Sequence, residues 1–505
     1  MKNYILYILA LLPCCFFSCM EDKGTYDYVA VNQLSIDTIH NQVVEIYDTL
    51  KVKVDVKSSQ TSGSLEYVWY RYLNKTLVTD TLSTQPELSY KMTWGLGDYE
   101  VIFKVTDLNT GLSDKKNFKV NVVGKFNTGL MVLGKNGEQP NLIFINNAGN
   151  VTDMYNASNA SLLGKNPVVV ANAVCPNISY IKDIMVLCDD GFGGVALSAA
   201  DFSVNKSYKD LFFLAPESVK PQAYYRGMSH YGWTNADFII SGGKLHARML
   251  GYAEELGRQT AFNPYVPGDY ELSPYAIVSA EDYLFYDNKN ERFLVVRGDF
   301  MSMRTTFSTL VSATSEFNPS KVGMKLIYMS EAAPEGSTKR GMGIFRDQNN
   351  QLQRLVFTLN KFSDMIKIQP IKLLSKTEVT VAEGIDQASA YAMSLAHPFL
   401  YYSKGSKIYL YEWENNISTP VYDVDTVIDN STIDKIYIEY VASGGYGSKS
   451  DVYNTVMYVA SSENGKSGQN GSIHVLKLAM NGIVEKRTAF YPNVCGKTVS
   501  LCYKR

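Results

Sequence analysis

Phe399-Leu400-Tyr401-Tyr402-Ser403-Lys404-Gly405-Ser406-Lys407-Ile408-Tyr409-Leu410-Tyr411-Glu412-Trp413 is an apolar run, a short polar turn and a second apolar run. Aromatic and branched side chains suit a pleated, half-buried surface, and a glycine between two such runs gives the backbone the freedom of a tight turn. The stretch therefore predicts a β-hairpin. The same unit recurs at Leu130 to Asn146, Ile184 to Ser198, Phe238 to Leu250, Tyr283 to Val296, Ile344 to Phe357 and Val456 to Leu478. The first residues of the seven hairpins fall 45 to 61 positions apart, about 54 on average, which is near one blade of a β-propeller. Residues 125–505 are thus expected to form seven four-stranded blades, since closure into a ring removes exposed sheet edges. No blade carries a Trp-Asp or kelch signature, so the period alone carries this expectation.

Upstream the texture differs. Leu50, Val52, Val54 and Val56 alternate with Lys51, Lys53, Asp55 and Lys57, and Tyr99, Val101, Phe103 and Val105 repeat the pattern before Phe118, Val120 and Val122. A period of two places one face in a core and the other in water, the pattern of a β-sandwich over residues 34–124. Trp69, within Tyr67-Val68-Trp69-Tyr70, is the expected plug between its sheets.

These residues resemble the PKD domain, an immunoglobulin-like module. Its Tyr-x-Trp strand is matched by Tyr67-Val68-Trp69, and its Gly-x-Tyr-x-Val-x-x-x-Val-x-Asp segment by Gly97 through Asp107. The Asp-Phe-Gly-Asp-Gly turn of the family is absent. Together with the opening Glu21-Asp22-Lys23-Gly24-Thr25-Tyr26-Asp27-Tyr28, this resembles the divergent PKD-like lipoproteins of Bacteroidetes. The whole chain is accordingly expected to be all-β: an Ig-like sandwich followed by a propeller.

The first 18 residues read as a secretion leader, with Lys2 ahead of an apolar stretch from Tyr4 to Leu12 that is too short to span a bilayer. Ser18-Cys19 at its end resembles a lipobox, which implies lipidation of Cys19 and a tether over residues 19–33. Glu21-Asp22 resembles the signal that sends such lipoproteins to the cell surface, so the expected location is the outer membrane, lipid-anchored and facing outward.

Composition narrows the partners. Forty-eight basic and fifty acidic residues leave a formal charge of -2, which gives no electrostatic footprint for nucleic acid. Tyrosine is abundant, with 36 copies beside 22 Phe and 4 Trp, as strands and half-wet surfaces favour. Of seven cysteines, Cys175, Cys188, Cys495 and Cys502 lie beyond the leader and its lipid site. An even number fits an oxidising compartment. Cys175 with Cys188 and Cys495 with Cys502 is the simplest of three connectivities, and buried free thiols are the other reading of their apolar surroundings.

No catalytic set declares itself. His40, His230, His246, His397 and His474 lie at no ligand spacing, and no Gly-x-Ser-x-Gly elbow is present. No metal or cofactor is expected. The strongest binding candidate is Tyr224-Tyr225-Arg226-Gly227-Met228-Ser229-His230-Tyr231-Gly232-Trp233, whose rings and Arg fork, on a loop at a propeller face, would stack on sugars or clamp a peptide carboxylate. The other reading is that these rings plug the gap between two blades. Tyr446, inside Ser443-Gly444-Gly445-Tyr446-Gly447-Ser448, is a further candidate. Asp37-Thr38-Ile39, Asp48-Thr49-Leu50, Asp80-Thr81-Leu82 and Asp425-Thr426-Val427 resemble the sites at which Bacteroidetes glycosylate exported proteins.

PKD-like lipoproteins look like companions of SusC/SusD-type transporters. The resemblance implies a non-catalytic accessory that captures an oligopeptide or glycan for uptake. A surface enzyme and an adhesin are the alternatives.

Overall fold

Val101, Phe103 and Val105 are all fully buried along Gly97–Asp107, the side of that strand which their alternation with polar residues assigns to a core. The structure is a computed structural model. It describes residues 32–504 apart from 47, 60–63, 73–78, 125, 174–182, 190–191, 217–218, 228–233, 252–260, 279–282, 300–303, 311–316, 360–370 and 439–454. The chain divides into two units, residues 1–125 and 126–505. No helix among the described residues is long and apolar enough to cross a membrane.

In the first unit, Gly97–Asp107 and Ser113–Val123 form a long antiparallel pair. Leu65–Tyr72 and then Thr79–Ser83 extend the sheet on one side, and Gln42–Glu45 joins it in parallel on the other. Two small sheets, Leu34–Ile36 with Val56–Ser58 and Thr49–Val52 with Leu88–Lys91, add Ile36, Leu50, Val52 and Leu88 to the same core. Trp69 fills that core. It stacks on Phe103 at 4.0 Å, meets Phe118 edge-on at 6.2 Å, and its indole N–H donates to the Gln85 carbonyl at 2.8 Å.

The second unit is a seven-bladed propeller, and each hairpin expected from the sequence forms the second and third strands of one blade. Named from the inner strand outward, blade 1 consists of Lys497–Lys504, Gly129–Asn136, Gln139–Asn146 and Val151–Asp153. Blade 2 is Pro167–Asn172, Asp183–Cys188, Gly194–Ser198 and Val204–Ser207, and blade 3 is Pro221–Gly227, Thr234–Ser241 and Lys244–Gly251 among the described residues. Blade 4 is Leu272–Val278, Tyr283–Asp287, Arg292–Asp299 and Arg304–Thr309; blade 5 is Lys325–Glu335, Thr338–Arg346, Leu352–Thr358 and Leu373–Glu378. Blade 6 is Tyr391–Met393, Phe399–Lys404, Lys407–Glu412 and Ile417–Asp423; blade 7 is Ser431–Ile438, Val456–Glu463, Gly471–Leu478 and Val484–Cys495.

The middle strands read as unbroken apolar runs because both their faces are covered. Met131 and Leu133 pack against blade 2, whereas Leu130 and Val132 on the same strand pack against blade 7. One hydrophobic cluster fills each of the seven gaps between neighbouring blades. Each inner strand touches the next, and that of blade 7 touches that of blade 1, so the circle is complete. The closing element is the last strand of the chain, which pairs antiparallel with Gly129–Asn136 from Gly129↔Lys504 to Lys135↔Lys497.

Closure also decides the cysteines. Cys495 and Cys502 are free thiols, which corrects the disulfide expected between them. The reason is topological: Cys495 ends the outer strand of blade 7, whereas Cys502 lies on the inner strand of blade 1. The Cys495 sulfur instead packs against Gly134, where a Cβ would come within 2.5 Å of it, and lies 3.3 Å from the Thr498 hydroxyl. Burial pushes the Cys495 thiol up to about 12 and the Cys502 thiol up to about 11. Cys188 is buried in blade 2 with its sulfur 3.4 Å from the Leu163 carbonyl. Its proposed partner Cys175 lies outside the described residues, as does Cys19.

Candidate functional site

Tyr224, Tyr225 and Arg226 lie on the inner strand of blade 3, so strand alternation, rather than a face loop, positions them. That corrects the loop reading for these three residues. Tyr231, Trp233 and Tyr446 lie outside the described residues. Tyr224 is buried in the cluster between blades 2 and 3, while Tyr225 packs into the cluster between blades 3 and 4. Arg226 shares the Tyr224 face and binds the fully buried Asp237 carboxylate. Arg226, Asp237 and Arg248 are directly opposed across the three strands of the blade, so one carboxylate is gripped from both sides. The Arg226 fork is thus engaged inside the blade, with a nitrogen 2.9 Å from Asp237 Oδ2 and 3.3 Å from the Tyr224 hydroxyl. Arg248 adds a contact of 4.7 Å over the Phe262 ring.

Tyr225 belongs to a second cluster, around the propeller axis. Its hydroxyl donates to the Pro274 carbonyl at 2.5 Å and accepts from the Ala276 N–H at 3.2 Å, tying blade 3 to blade 4. Tyr275, Tyr328 and Tyr391 come from the inner strands of blades 4, 5 and 6. Tyr275 meets Tyr328 at 5.0 Å, and Tyr328 stacks on Tyr391 at 4.7 Å. Tyr275 and Tyr391 are 6.4 Å apart although their blades are not neighbours, which requires the rings to meet across the axis. Burial raises the pKa of all four hydroxyls, so they stay protonated near neutral pH.

A concave site lies at the seam between the last blade and the first. A cavity of about 180 Å³ is lined by Leu130, Ile145, Asn146, Asn147 and Tyr503 from blade 1 and by Tyr458, Val475, Ala489 and Tyr491 from blade 7. The Tyr458 and Tyr503 rings are 6.0 Å apart and inclined at 33°, and Tyr437 continues the row 6.2 Å beyond Tyr458. Tyr491 reaches the wall because Gly149 has no side chain: a Cβ there would sit 3.2 Å from the Tyr491 oxygen. Asn147 Oδ1 accepts from the Tyr503 hydroxyl at 2.6 Å, and Asn146 Oδ1 accepts from the Ala148 and Asn150 N–H groups. Both side-chain oxygens are thus engaged as acceptors, and the N–H₂ of each amide is the donor group that remains. The lining holds no carboxylate, imidazole, thiol or cationic side chain, and its ionisable groups are the phenols of Tyr458, Tyr491 and Tyr503.

Blade 7 carries two buried polar networks, one towards blade 1 and one towards blade 6. Asp434, on the inner strand of blade 7, accepts from the Thr498 N–H of blade 1 at 3.1 Å and from the Ser462 hydroxyl at 3.0 Å. Burial pushes its pKa up to about 6. His474 sits between Ser461, 3.0 Å from Nε2, and Tyr422, 3.2 Å from Nδ1. Burial, with Arg487 nearby, pulls the imidazole down to about 4. Ser461 and His474 are 1% and 0% exposed, and the Tyr422 contact of His474 fastens blade 7 to blade 6. Among the described residues no cluster of three or more His, Cys, Asp or Glu could hold a metal ion.

Residues 19–167 match the PKD-like family. The match takes in the sandwich and the first hairpin of the propeller. Similar solved structures include a quinonprotein alcohol dehydrogenase-like protein from Bacteroides thetaiotaomicron, at 12% identity over 93% of this chain and 97% of that one, with a TM-score of 0.43. The WD40 domain of SCAP from fission yeast is 11% identical over 85% of this chain and 94% of that one, with a TM-score of 0.28. The extracellular domain of a putative one component system from B. thetaiotaomicron is 8% identical over 84% and 85%, with a TM-score of 0.22. No curated protein matches the chain. The PKD-like match places no ligand site, and the seam residues were missed in the sequence because Asn147 and Tyr503 stand at opposite ends of the propeller. The one local signal was the Asn-Asn-Ala-Gly-Asn turn at residues 146–150 that ends the first hairpin.

Proposed function

We propose that this chain is a lipid-anchored protein of the outer cell surface that acts as a non-catalytic binding component of a SusC/SusD-type, TonB-dependent system importing oligosaccharides or oligopeptides. The binding part rests on the seam cleft, a concavity of tyrosine rings and side-chain amides with no carboxylate, imidazole, thiol or cationic side chain in its wall. Such a wall, apolar rings with a few polar groups, is suited to orienting a ligand. The leader ending at Cys19 and the Glu21-Asp22 pair support the anchor and its outward orientation, and the resemblance to PKD-like lipoproteins that look like companions of such transporters supports the association with uptake systems.

The test is purification of the tagged full chain from detergent-solubilised outer membranes, with uptake assays on a deletion strain. The reading expects a SusC/SusD pair to co-purify and the deletion to slow uptake of one class of oligomer. A chain that purifies alone, with uptake unchanged by deletion, contradicts it and favours an adhesin. Release of products from the oligomer pool, abolished by one acid-to-amide substitution, would make the protein an enzyme instead.

A further inference from the structure

We infer that the seam cleft takes the terminal ring of a neutral glycan in preference to a peptide; the inference rests on the capture reading and narrows its ligand. Size comes first. At about 180 Å³ the cavity is smaller than the 300–1,000 Å³ pockets that enclose a whole small-molecule ligand, so it accepts one unit at the end of a chain.

Ring geometry comes second. A sugar held between two aromatic faces needs them roughly 7–8 Å apart, twice the contact distance of carbon atoms. Tyr458 and Tyr503, at 6.0 Å and 33°, are too close for a sandwich and instead form a tilted platform against which the C–H face of a pyranose can lie. Leu130, Ile145, Val475 and Ala489 complete the apolar floor.

Charge decides between the ligands. A peptide terminus carries an ammonium or carboxylate, and a uronic acid carries a carboxylate, each of which is costly to take out of water without an opposite charge. The wall holds no such charge. A neutral pyranose brings only hydroxyls, whose oxygens can accept from the Asn146 and Asn147 amides while their protons reach the phenol oxygens. Because the wall is contributed by both blade 1 and blade 7, the bound ring bridges the seam, and occupancy raises the unfolding temperature along with it.

The experiment is calorimetric titration of the full chain in detergent with maltohexaose, cellohexaose, mannohexaose and xylohexaose, with oligogalacturonate, and with uncapped Ala/Ser hexapeptides. Parallel titrations use Tyr491→Ala, Tyr491→Phe and Asn147→Ala variants that keep the wild-type melting profile. The proposal expects one neutral oligosaccharide to bind, Tyr491→Ala and Asn147→Ala to weaken it by at least about tenfold, and Tyr491→Phe to keep most of the affinity. Hexapeptide binding that is lost in Tyr491→Ala overturns the glycan inference and leaves capture standing. Neutral glycan binding that none of the variants alters overturns the seam assignment. Absence of binding by every probe overturns both.

Discussion

The hydroxyl of Tyr503 donates to Asn147 Oδ1 at 2.6 Å across 356 residues of chain, and with that contact the last strand of the propeller locks onto the first hairpin. Lys504, the next residue, donates to the Phe126 and Asn127 carbonyls at 2.7 and 3.0 Å and fixes the same strand at its other side. The strand that closes the ring also supplies Tyr503 to the wall of the seam cleft, so ring closure and the proposed binding share it. Deletion of residues 497–505 should expose the edge of Gly129–Asn136 and open the blade 7–blade 1 seam. The expected result is a lower, broadened melting transition with aggregation on size exclusion, whereas Tyr503→Phe should cost only about 1 kcal/mol. An unchanged melt on deletion would remove the closing role.

Asp237→Ala should be among the most damaging single changes in the propeller. The carboxylate is fully buried between two guanidinium groups, and removing it leaves both cations inside the blade 2–blade 3 gap without it. Breaking a buried pair from one side costs about 3–5 kcal/mol. Urea unfolding of wild type and variant measures it, and a loss under 1 kcal/mol would mean that the row is solvated like a surface pair.

Acid should act on blade 7 through two groups of opposite sign. His474 is held near 4 in the folded protein against 6.5 for an exposed imidazole, so its contribution is complete above about 6.5 and is lost as the pH falls towards 4. Asp434 is raised to about 6 from 3.8, so its contribution is complete below about 3.8 and is lost as the pH rises through 6. Each shift corresponds to something on the order of 3 kcal/mol, and between about pH 4 and 6 they offset one another. Relative to wild type, His474→Gln should gain stability on going from pH 6.5 to 4.5 and Asp434→Asn should lose it, as read by urea midpoints. Parallel profiles for all three proteins would contradict both assignments.

The thiols of Cys495 and Cys502 should be silent in the native state. Burial holds both far above their ordinary range, so neither ionises appreciably near neutral pH. Alkylation without reductant should spare both positions in the folded protein and label both after unfolding in guanidinium. A peptide with Cys495 joined to Cys502 would refute the topology of the closing strand.

The parts of the fold visible in the sequence are those encoded locally. Phe399 to Trp413 contains both strands and the turn of its hairpin, and Gly97 to Asp107 carries the whole alternation of its strand. What was hidden depends on partners far along the chain. Lys497–Lys504 resembles any apolar strand, and only its pairing with Gly129–Asn136 makes it the inner strand of blade 1. Tyr224, Tyr225 and Arg226 looked like a loop because their aromatic cluster runs on through Trp233, whereas Pro221–Gly227 is a strand whose two faces meet different blades. The cleft escaped notice for the same reason, since its tyrosines become neighbours only when the ring closes.

The account centres on a binding propeller held at the cell surface through Cys19. The most direct measurement is palmitate labelling of intact producing cells, combined with protease shaving, for wild type and Cys19→Ala. The account predicts a labelled wild-type chain that shaving removes and an unlabelled Cys19→Ala chain that no longer stays with the outer membrane. An unlabelled wild-type chain, or a Cys19→Ala chain retained on cells as firmly as wild type, would contradict it.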